Sequence, residues 1–373
     1  MLMSKIIIVG PASPLRGGIS DFNEALAKSL VEKGLLVEII SFSLQYPKFL
    51  FPGKSQNRVE QSENFNFKIS PIINSINPIS WWRTAKYIKG ENPTKVFIRF
   101  WMPFFAPCLG IIGGYLKRNK IPVFGIVDNA IAHEKRLGDT MLVNYFLNKC
   151  DSHFTLSKKV KKDIKEINNG VSVESLFHPI YNTYSKITDK SSALKSLNLK
   201  DGKYVLFFGL IRKYKGLDLA IRAMSNKLII EKNIKLIIAG EFYDSEDKYQ
   251  DLIRDLNLKN IIIYNQFIEN KQVPDFFSVS NLVILPYTSA TQSGVTQLAM
   301  YYEKPMLVTN VGGLPEIIEH KKDGYISSTN AEEMSEYILD YFSNEKNEIE
   351  MSSAISKKHD SYSWDNFVKK IIK

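Results

Sequence analysis

Short apolar runs recur along the chain, each followed by a polar or glycine-containing loop and then, in most cases, by a segment with helical spacing. In the first half these runs lie at 6–9, 36–41, 95–100, 121–127 and 154–156. In the second half they lie at 204–208, 235–239, 261–264, 281–285 and 305–309. Apolar runs of this length, separated by helices, are typical of the buried strands of parallel sheets. The pattern therefore predicts an α/β chain in which one plan occurs twice.

The two halves are separated by a polar, lysine-rich stretch over residues 183–202. A length of 373 residues also suits two domains at the usual ~150 residues each. We predict a first domain over 1–184, a second over 185–360 and an amphipathic helix within 361–373. Residues 43–70 show little periodicity and are predicted to form a long loop.

Composition and charge narrow the class of protein. Hydrophobic residues make up 44% and charged residues 24%, as in soluble globular proteins. The net charge of +10 suits nucleic acid, an anionic membrane or an anionic small substrate. Nucleic acid is disfavoured because basic residues are spread along the chain without a recognition helix or aromatic platform. The densest basic run lies on a predicted helix over 157–167, and is either a solvated face or a contact with lipid headgroups.

Several features indicate a cytoplasmic protein. Cys108 and Cys150 lack metal-like spacing, which favours free thiols in a reducing compartment. The apolar run at the N-terminus is too short for a signal peptide. Residues 100–116 are interrupted by prolines and glycines and fall short of the ~20 residues of a membrane span. Trp81 and Trp82 open a predicted helix that ends near Gly90, and we favour a core position for the pair over a membrane anchor.

Two loops of the second half offer anion-binding chemistry. Gly209 is followed by Arg212 and Lys215, two cations that can neutralise a diphosphate. Further on, Ser293 and Gly294 open a predicted helix, whose first N–H groups and dipole favour an anion. An ordinary capped helix explains the second feature equally well.

The first half offers two further candidates. Gly17 and Gly18 precede a predicted helix, without the G-x-G-x-x-G spacing of dinucleotide-binding loops. His133 follows the run at 121–127, at the strand end where ligands of such sheets gather. A tight turn and a structural histidine are the alternative interpretations.

At this point the sequence resembles a known family. FGLIRKYKG at 208–216, EKPMLVTNVGGLPEII at 303–318 and DGYI at 323–326 are similar to motifs of the donor domain of retaining family four glycosyltransferases, glycosyl transferases group 1. The first half is similar to their acceptor domain. The resemblance implies the GT-B fold, with two Rossmann-like domains facing a central cleft and a C-terminal helix that crosses back to the first domain.

The resemblance also implies roles for residues. Arg212 and Lys215 would hold the diphosphate of a nucleotide sugar and stabilise the departing nucleoside diphosphate, with His133 beside the transferred sugar. The donor-binding set is Gly17, Gly18, Gly209, Glu241, Phe267, Ile268, Ser289, Thr291, Gln292, Ser293, Gly294, Val295 and Gln297, in which the backbone around Phe267 and Ile268 reads the base. A weaker acceptor set is Arg99, Trp101, Glu134 and Arg136. No metal and no cofactor is implied.

The chain departs from the family signature at one place. The family has two glutamates eight positions apart, and Ser289 and Gln297 stand there. The Gln297 amide oxygen can still accept a hydrogen bond from a ribose hydroxyl, without charge. Residues 291–294 offer other donors, which favours a modified site over an inactive one.

These observations predict a metal-independent enzyme. It would move a sugar from a nucleotide-diphosphate sugar to a glycan or lipid-linked acceptor, with retention, in bacterial surface polysaccharide synthesis. A peripheral contact with the inner face of the membrane is part of this expectation. Two alternatives remain: a nucleotide-sugar epimerase of the same fold, and a non-catalytic subunit that binds the nucleotide sugar.

Overall fold

The computed structural model describes residues 4–47, 56, 65–131, 137–181, 184–243 and 245–373. The chain divides into two compact units, Met1–Pro179 with Ser363–Lys373, and Ile180–Tyr362. These divisions lie a few residues from the predicted domain boundaries. The second unit is therefore one unbroken stretch of chain, whereas the first contains residues from both ends.

The first unit contains a sheet of parallel strands. The strands are β1 (Lys5–Val9), β2 (Leu36–Leu44), β3 (Lys68–Asn74), β4 (Lys95–Phe100), β5 (Val123–Val127), β6 (Ser152–Thr155) and β7 (Val173–Ser175), in the order β3-β2-β1-β4-β5-β6-β7. The helices up to residue 179 are α1 (Gly18–Glu32), α2 (Pro78–Gly90), α3 (Ala106–Arg118), α4 (Asp139–Leu147) and α5 (Lys158–Ile167). Strand order reverses between β1 and β4, where sheets of this kind bind ligands.

The prediction of a long loop over 43–70 is wrong at both ends. Strand β2 continues to Leu44, and β3 begins at Lys68 and pairs in parallel with β2. β3 lies at the edge of the sheet and buries only Ser70 and Ile73, so its sequence lacks the continuous apolar run of an inner strand. Residues 48–55 and 57–64 of the predicted loop lie outside the described residues.

The apolar stretch after β4 forms a packed helix. Pro107 lies in the first turn of α3, where proline is favoured. A Cβ on Gly110 would stand 2.4 Å from the Tyr145 ring, so this glycine allows α3 and α4 to approach closely. Among the helices that the structure describes, none is long and apolar enough to cross a membrane.

The tryptophan pair of α2 is divided between core and surface, which corrects the expectation of a core position for both. Asn77 caps α2 through its side chain, and Pro78 begins the helix. Trp81 is buried, with its Nε1 donating to the Asn74 carbonyl at 2.7 Å, whereas Trp82 is 49% exposed.

The second unit repeats the plan. Its parallel strands are β8 (Lys203–Phe208), β9 (Ile234–Ala239), β10 (Ile261–Tyr264), β11 (Leu282–Leu285), β12 (Met306–Thr309) and β13 (Gly324–Ser327), in the order β10-β9-β8-β11-β12-β13. Its helices are α6 (Lys190–Ser196), α7 (Leu217–Ala223), α8 (Lys227–Glu231), α9 (Asp247–Asp255), α10 (Val273–Val279), α11 (Gly294–Tyr301), α12 (Ala331–Tyr341) and α13 (Lys346–Ser356). Here the strand order reverses between β8 and β11.

The last helix, α14 (Trp364–Ile371), belongs to the first unit. Its Trp364 and Phe367 rings meet the Phe22 ring of α1 edge-on, with centroids 4.9 and 5.8 Å apart. Lys33 forms an ion pair with Asp365 at the same contact. The α/β class with two Rossmann-like parallel sheets, predicted from the sequence, is thus confirmed.

Candidate functional site

Two loops meet where the strand order of the second sheet reverses. One follows β8 and continues through a short 3-10 turn, Lys213–Lys215, and the other follows β11. Gly216 has φ 66°, and a Cβ there would stand 1.9 Å from the Pro286 carbonyl oxygen. The Thr288 N–H donates to the Tyr214 carbonyl at 2.8 Å. Only glycine permits this approach, so the two loops are held together as one structure.

Lys215 is a buried cation in this structure. Its side chain makes no ion pair with any described residue, and its Nζ lies 5.6 Å from the centre of the Tyr287 ring. A Cβ on Gly209 would stand 3.3 Å from Lys215 Nζ and 3.5 Å from Val295 Cγ2. The ammonium therefore lies beside the first turn of α11, at the carboxyl end of β8.

Burial, together with the neighbouring Arg212 guanidinium, lowers the pKa of Lys215 to about 7. Desolvation penalises the charged form, and no carboxylate among the described residues offsets that penalty. An anionic ligand beside Nζ would favour the protonated form, so ligand binding and protonation of Lys215 should be coupled.

Arg212 differs from Lys215 in its exposure. It precedes the 3-10 turn with extended backbone, and its guanidinium carbon lies 4.9 Å from the centre of the Tyr243 ring. The side chain is exposed and forms no ion pair with the described residues. This loop thus presents two different cations a few residues apart, the buried ammonium of Lys215 and the exposed, planar guanidinium of Arg212.

The start of α11 is a capped helix end. Ser293 Oγ accepts from the Val295 N–H at 3.2 Å and lies 3.2 Å from the Tyr287 hydroxyl. Thr296 Oγ1 donates to the Ser293 carbonyl at 2.5 Å. The cap satisfies one N–H of the first turn, as the capped-helix interpretation requires, and binding of an anion there stays a prediction.

Gln297 and Ser289 replace the signature glutamates in different surroundings. Gln297 is 3% exposed, and its Nε2 lies 3.4 Å from Thr296 Oγ1. Its Oε1 is buried without a hydrogen-bond donor among the described residues. Buried oxygens are rarely left so in folded proteins, and a ligand hydroxyl would satisfy this one. Ser289 is exposed.

The loop that contains Ser289 is fixed by the glycine pair after β12. Gly312 has φ 56°, and a Cβ there would stand 1.6 Å from the Ala290 carbonyl oxygen. The Gly313 N–H donates to the Thr291 carbonyl at 3.1 Å. Neither glycine is in the predicted donor-binding set, although their position just after a strand was a signal in the sequence. Gln292 is half-buried in the same loop.

The remaining donor-binding candidates follow β9 and β10. The Glu241 carbonyl accepts from the Ile211 N–H at 2.9 Å, which joins its loop to the loop that contains Arg212. Phe267 is 42% exposed and Ile268 is buried. All these positions lie at the carboxyl edge of one sheet, as predicted, and recognition of a base by 267–268 stays a prediction.

The first unit offers less support for its candidates. Gly17, with φ 117°, is the N-cap of α1, and Gly18 begins the helix. No described atom lies within 4 Å of the Cβ position of Gly17. His133, Glu134 and Arg136 lie outside the described residues, and their predicted roles stay predictions.

Arg99 and Trp101 are part of the core and do not present their polar groups to solvent. The Arg99 guanidinium is 2% exposed and forms a two-point ion pair with Asp128, at 2.6 and 2.5 Å. It also lies 3.8 Å from the centre of the Phe22 ring. Trp101 is buried, with Nε1 donating to the Tyr46 hydroxyl at 2.9 Å. Both side chains thus have partners within the fold, and their contact with an acceptor stays a prediction.

The second unit matches a known family over most of its length. Residues 189–358 match the family described as Glycosyl transferases group 1. The second unit is a group 1 glycosyltransferase domain.

Relatives support the same assignment. An uncharacterized glycosyltransferase of Methanocaldococcus jannaschii is 27% identical over 229 residues, 58% of this chain and 58% of the relative. The chain thus spans little more than half the length of that relative. Spore coat protein SA of Bacillus subtilis is 21% identical over 385 residues, 97% of this chain and 95% of that protein.

Solved structures show the fold. Sucrose-phosphate synthase from Thermosynechococcus elongatus superposes with a TM-score of 0.75 at 13% identity, over 99% of this chain and 97% of that one. Anabaena HepE, in complex with UDP-glucose, superposes with a TM-score of 0.72 at 14% identity, over 98% and 99% of the two chains. The glycosyltransferase domain and these neighbours together give the chain the GT-B fold, as expected.

Proposed function

We propose that this protein is a glycosyltransferase that uses a nucleoside-diphosphate sugar as donor and moves the sugar, with retention, to a glycan or lipid-linked acceptor. The observation that carries the donor class is the uncompensated Lys215 ammonium at the reversal point of the second sheet. A buried charge without a partner costs free energy of folding, and a ligand of opposite charge recovers it. Arg212 on the same loop and the capped end of α11 add positive potential at this edge.

A nucleoside diphosphate matches the three groups that converge there. Its phosphates suit Lys215 and Arg212, and its ribose hydroxyls suit Gln297 Oε1, which no donor of the described residues satisfies. The complexes of Anabaena HepE with UDP and with UDP-glucose lend support to this donor class. The base and the sugar are left open by this chemistry.

The proposed reaction depends mainly on stabilising the leaving group. The bond between the anomeric carbon and the phosphate oxygen breaks, while the acceptor oxygen bonds to the same face of that carbon and passes its proton to the departing phosphate oxygen. Negative charge then grows on the departing diphosphate beside Lys215 and Arg212, and positive charge spreads over the sugar ring as in glycoside hydrolysis. We assign no metal and no cofactor to this step. His133 keeps its proposed place beside the sugar.

A panel of nucleotides tests the donor class. UDP, GDP and ADP, with their glucose and mannose derivatives, should include one pair that raises the melting temperature of the protein. A ligand at a hundred times its dissociation constant adds ~2.7 kcal/mol to the stability. Failure of every nucleotide to stabilise the protein would overturn the proposal.

Arg212→Ala tests the site itself. We expect it to lower kcat by ~10²- to 10³-fold, since a donor aimed at developing negative charge is lost. Lys213→Ala is the matched control, because Lys213 is an exposed cation in the same turn without an assigned role. Equal losses in the two variants would show that only the general charge of the loop matters.

One observation favours a second candidate, a non-catalytic subunit that binds the nucleotide sugar. Ser289, exposed and short, stands where the family signature has a glutamate. Such a subunit would bind the nucleotide sugar but would release no sugar from it with any acceptor. An epimerase of this fold would instead consume the nucleotide sugar without any acceptor.

The proposed setting is the cytoplasm of a bacterium, in surface polysaccharide synthesis with a peripheral contact at the inner face of the membrane. The described cysteines, Cys108 and Cys150, are free and buried, as suits a reducing compartment.

A further inference from the structure

Large apolar side chains are exposed together on one side of the first unit. Ile72 on β3, Ile76 in the following turn and Ile79 on α2 are 38%, 53% and 61% exposed, and Trp82 is 49% exposed. Isolated exposed residues of this kind need no explanation, but a group along one strand and the adjoining helix does. We call this surface the α2–β3 face, and it consists of Lys68, Ile72, Ile76, Ile79, Trp82, Arg83, Lys86 and Lys89.

The helical part of the face follows the spacing of one helix side. Ile79, Trp82, Arg83 and Lys86 are separated by three, four and seven positions from the first, and all four are exposed. The opposite side of α2 is buried through Trp81, Thr84, Ala85 and Ile88. The apolar and basic residues of the exposed side are therefore not needed for the core of the unit.

The charge of this face has a single sign. Residues 68–90 contain Lys68, Arg83, Lys86 and Lys89 and no Asp or Glu. Lys86 Nζ lies 3.7 Å from the centre of the Trp82 ring, so a cation and an aromatic ring are presented together. Among these cations, Lys68 already has a counter-ion, because its ammonium pairs with Glu38 at 3.2 Å.

A cavity of about 510 Å³ opens on the same face. Lys68 and Arg83 line it together with Ile72, Ile79 and the hydroxyl-bearing Ser70 and Ser80. Its wall combines cations with apolar side chains, a combination that suits a phosphate with hydrocarbon attached and does not suit a free ion.

The lysine-rich helix α5, which the sequence offered as the lipid contact, lacks this combination. Its Lys159 pairs with Asp163 and its Lys162 with Glu166, while Val160 and Ile164 are buried. None of the exposed large hydrophobic residues of the described chain lies in α5. Helix α5 thus presents cations but no large exposed apolar side chain that could enter a bilayer, as expected of a solvated helix face.

We propose that the α2–β3 face docks the protein on an anionic lipid bilayer. Ile79 and Trp82 enter the headgroup region, Arg83, Lys86 and Lys89 contact lipid phosphates, and the cavity receives one headgroup. Apolar burial and electrostatic attraction together give interfacial binding without a membrane span. The proposal extends the lipid-linked acceptor of the proposed function, but vesicle binding requires no donor, so either proposal can fail without the other.

Vesicle sedimentation measures the electrostatic part. The protein should bind vesicles of phosphatidylcholine with phosphatidylglycerol, and bind those of phosphatidylcholine alone much more weakly. The variant Arg83→Gln/Lys86→Gln should lower the partition coefficient roughly 30-fold, since each cation near an anionic surface contributes about 1 kcal/mol, or about fivefold. The variant Ile79→Ser/Trp82→Ser should lower it at least as much through lost apolar burial.

Lys161→Gln/Lys162→Gln on α5 is the matched control, with the same change of charge. It should bind as the unchanged protein does. Equal losses from α5 and from α2, or no loss from α2, would overturn the assignment. Because Ile79, Trp82, Arg83, Lys86 and Lys162 are exposed and Lys161 is only half-buried, unchanged melting temperatures should accompany the losses, and will exclude misfolding as their cause.

Tryptophan fluorescence locates the contact directly. Trp82 is half exposed, whereas Trp81, Trp101 and Trp364 are 8%, 8% and 4% exposed. Phospholipids brominated on the acyl chain should quench the emission of the bound protein, and Trp82→Phe should abolish that quenching while the protein still sediments with vesicles. Quenching that persists in Trp82→Phe would place the docking surface elsewhere.

Discussion

Two buried cations distinguish the two units of this protein. Arg99 of the first unit is held by Asp128 in a two-point ion pair. Lys215 of the second unit is buried to a similar degree, but no carboxylate of the described chain accompanies it. The first charge has its counter-ion within the fold, and the second has none among the described residues. A buried charge that lacks its counter-ion indicates where a ligand of opposite charge belongs, whereas a paired one indicates only a stable core.

The largest expected effect comes from breaking the compensated pair. Asp128→Ala should reduce the free energy of unfolding by about 3–5 kcal/mol, because it leaves the buried Arg99 guanidinium without its counter-ion. Urea denaturation followed by circular dichroism measures this loss. Glu166→Ala, which removes one partner of the exposed Lys162 pair, should leave the midpoint nearly unchanged. Similar midpoints for the two variants would contradict the structural role of Asp128.

Removal of the Lys215 charge should leave the stability of the free protein unchanged and lower its activity, which is the opposite of what is expected for Asp128. Lys215→Met replaces a buried ammonium by an apolar group of similar length, so the free protein should be no less stable. Turnover should nevertheless fall by ~10²- to 10³-fold. Steady-state kinetics and a melting curve on the same preparation separate the two effects. A variant that loses stability while keeping its kcat would show that Lys215 serves the fold.

The pH dependence of the free protein should carry the signature of Lys215. Its folded pKa of about 7 lies below the unfolded value of 10.5, so the unfolded chain binds the extra proton between these values. Stability of the free protein should therefore rise as pH increases from about 7 towards 10.5, whereas the penalty is complete at lower pH.

Nucleotide binding should have the reverse dependence. A diphosphate favours the ammonium form, so its affinity should fall as pH rises above about 7, with uptake of a proton on binding. Isothermal titration in buffers with different ionisation enthalpies counts that proton. Lys215→Met should abolish the uptake, and an unchanged proton count in this variant would assign the titration to another group.

The smallest effect concerns Gln297. Gln297→Leu should weaken nucleotide binding about two- to tenfold, the range of one neutral hydrogen bond. Deoxyribose analogues of the nucleotide make the test specific. An analogue that lacks the contacted hydroxyl should lose the same factor with the unchanged protein and nothing further with the variant. Independent, additive losses would show that the Gln297 oxygen does not contact the ribose.

The sequence was sufficient to predict the ends of strands and helices whose residues are mostly buried. The strand at 95–100 and the helix at 273–279 have the predicted ends, because continuous apolar runs and helical spacing specify them. The edge strand β3 was missed, since half of its side chains face solvent. The sequence also predicted which loops and glycines form the candidate site, because such loops lie at fixed positions after the strands of a parallel sheet.

Burial and pairing of single side chains were beyond the sequence. Arg99 and Lys215 are both cations after or near apolar strands, and only the tertiary structure gives one of them Asp128, which lies 29 positions along the chain. Trp81 and Trp82 are chemically identical neighbours, yet the helix period directs one inward and the other outward. The pairing of Arg99 depends on a contact between distant residues, which periodicity does not encode, whereas the division of the two tryptophans follows from the period of the helix once its orientation is known.

The position of α14 in the first unit affects the order in which the chain can fold during synthesis. Phe22 is made before the second unit, yet the rings that cover it, Trp364 and Phe367, are made after that entire unit. The first unit can therefore be completed only after the second, and a premature stop shortly after Tyr362 would leave an apolar patch on α1 open to chaperones and proteases.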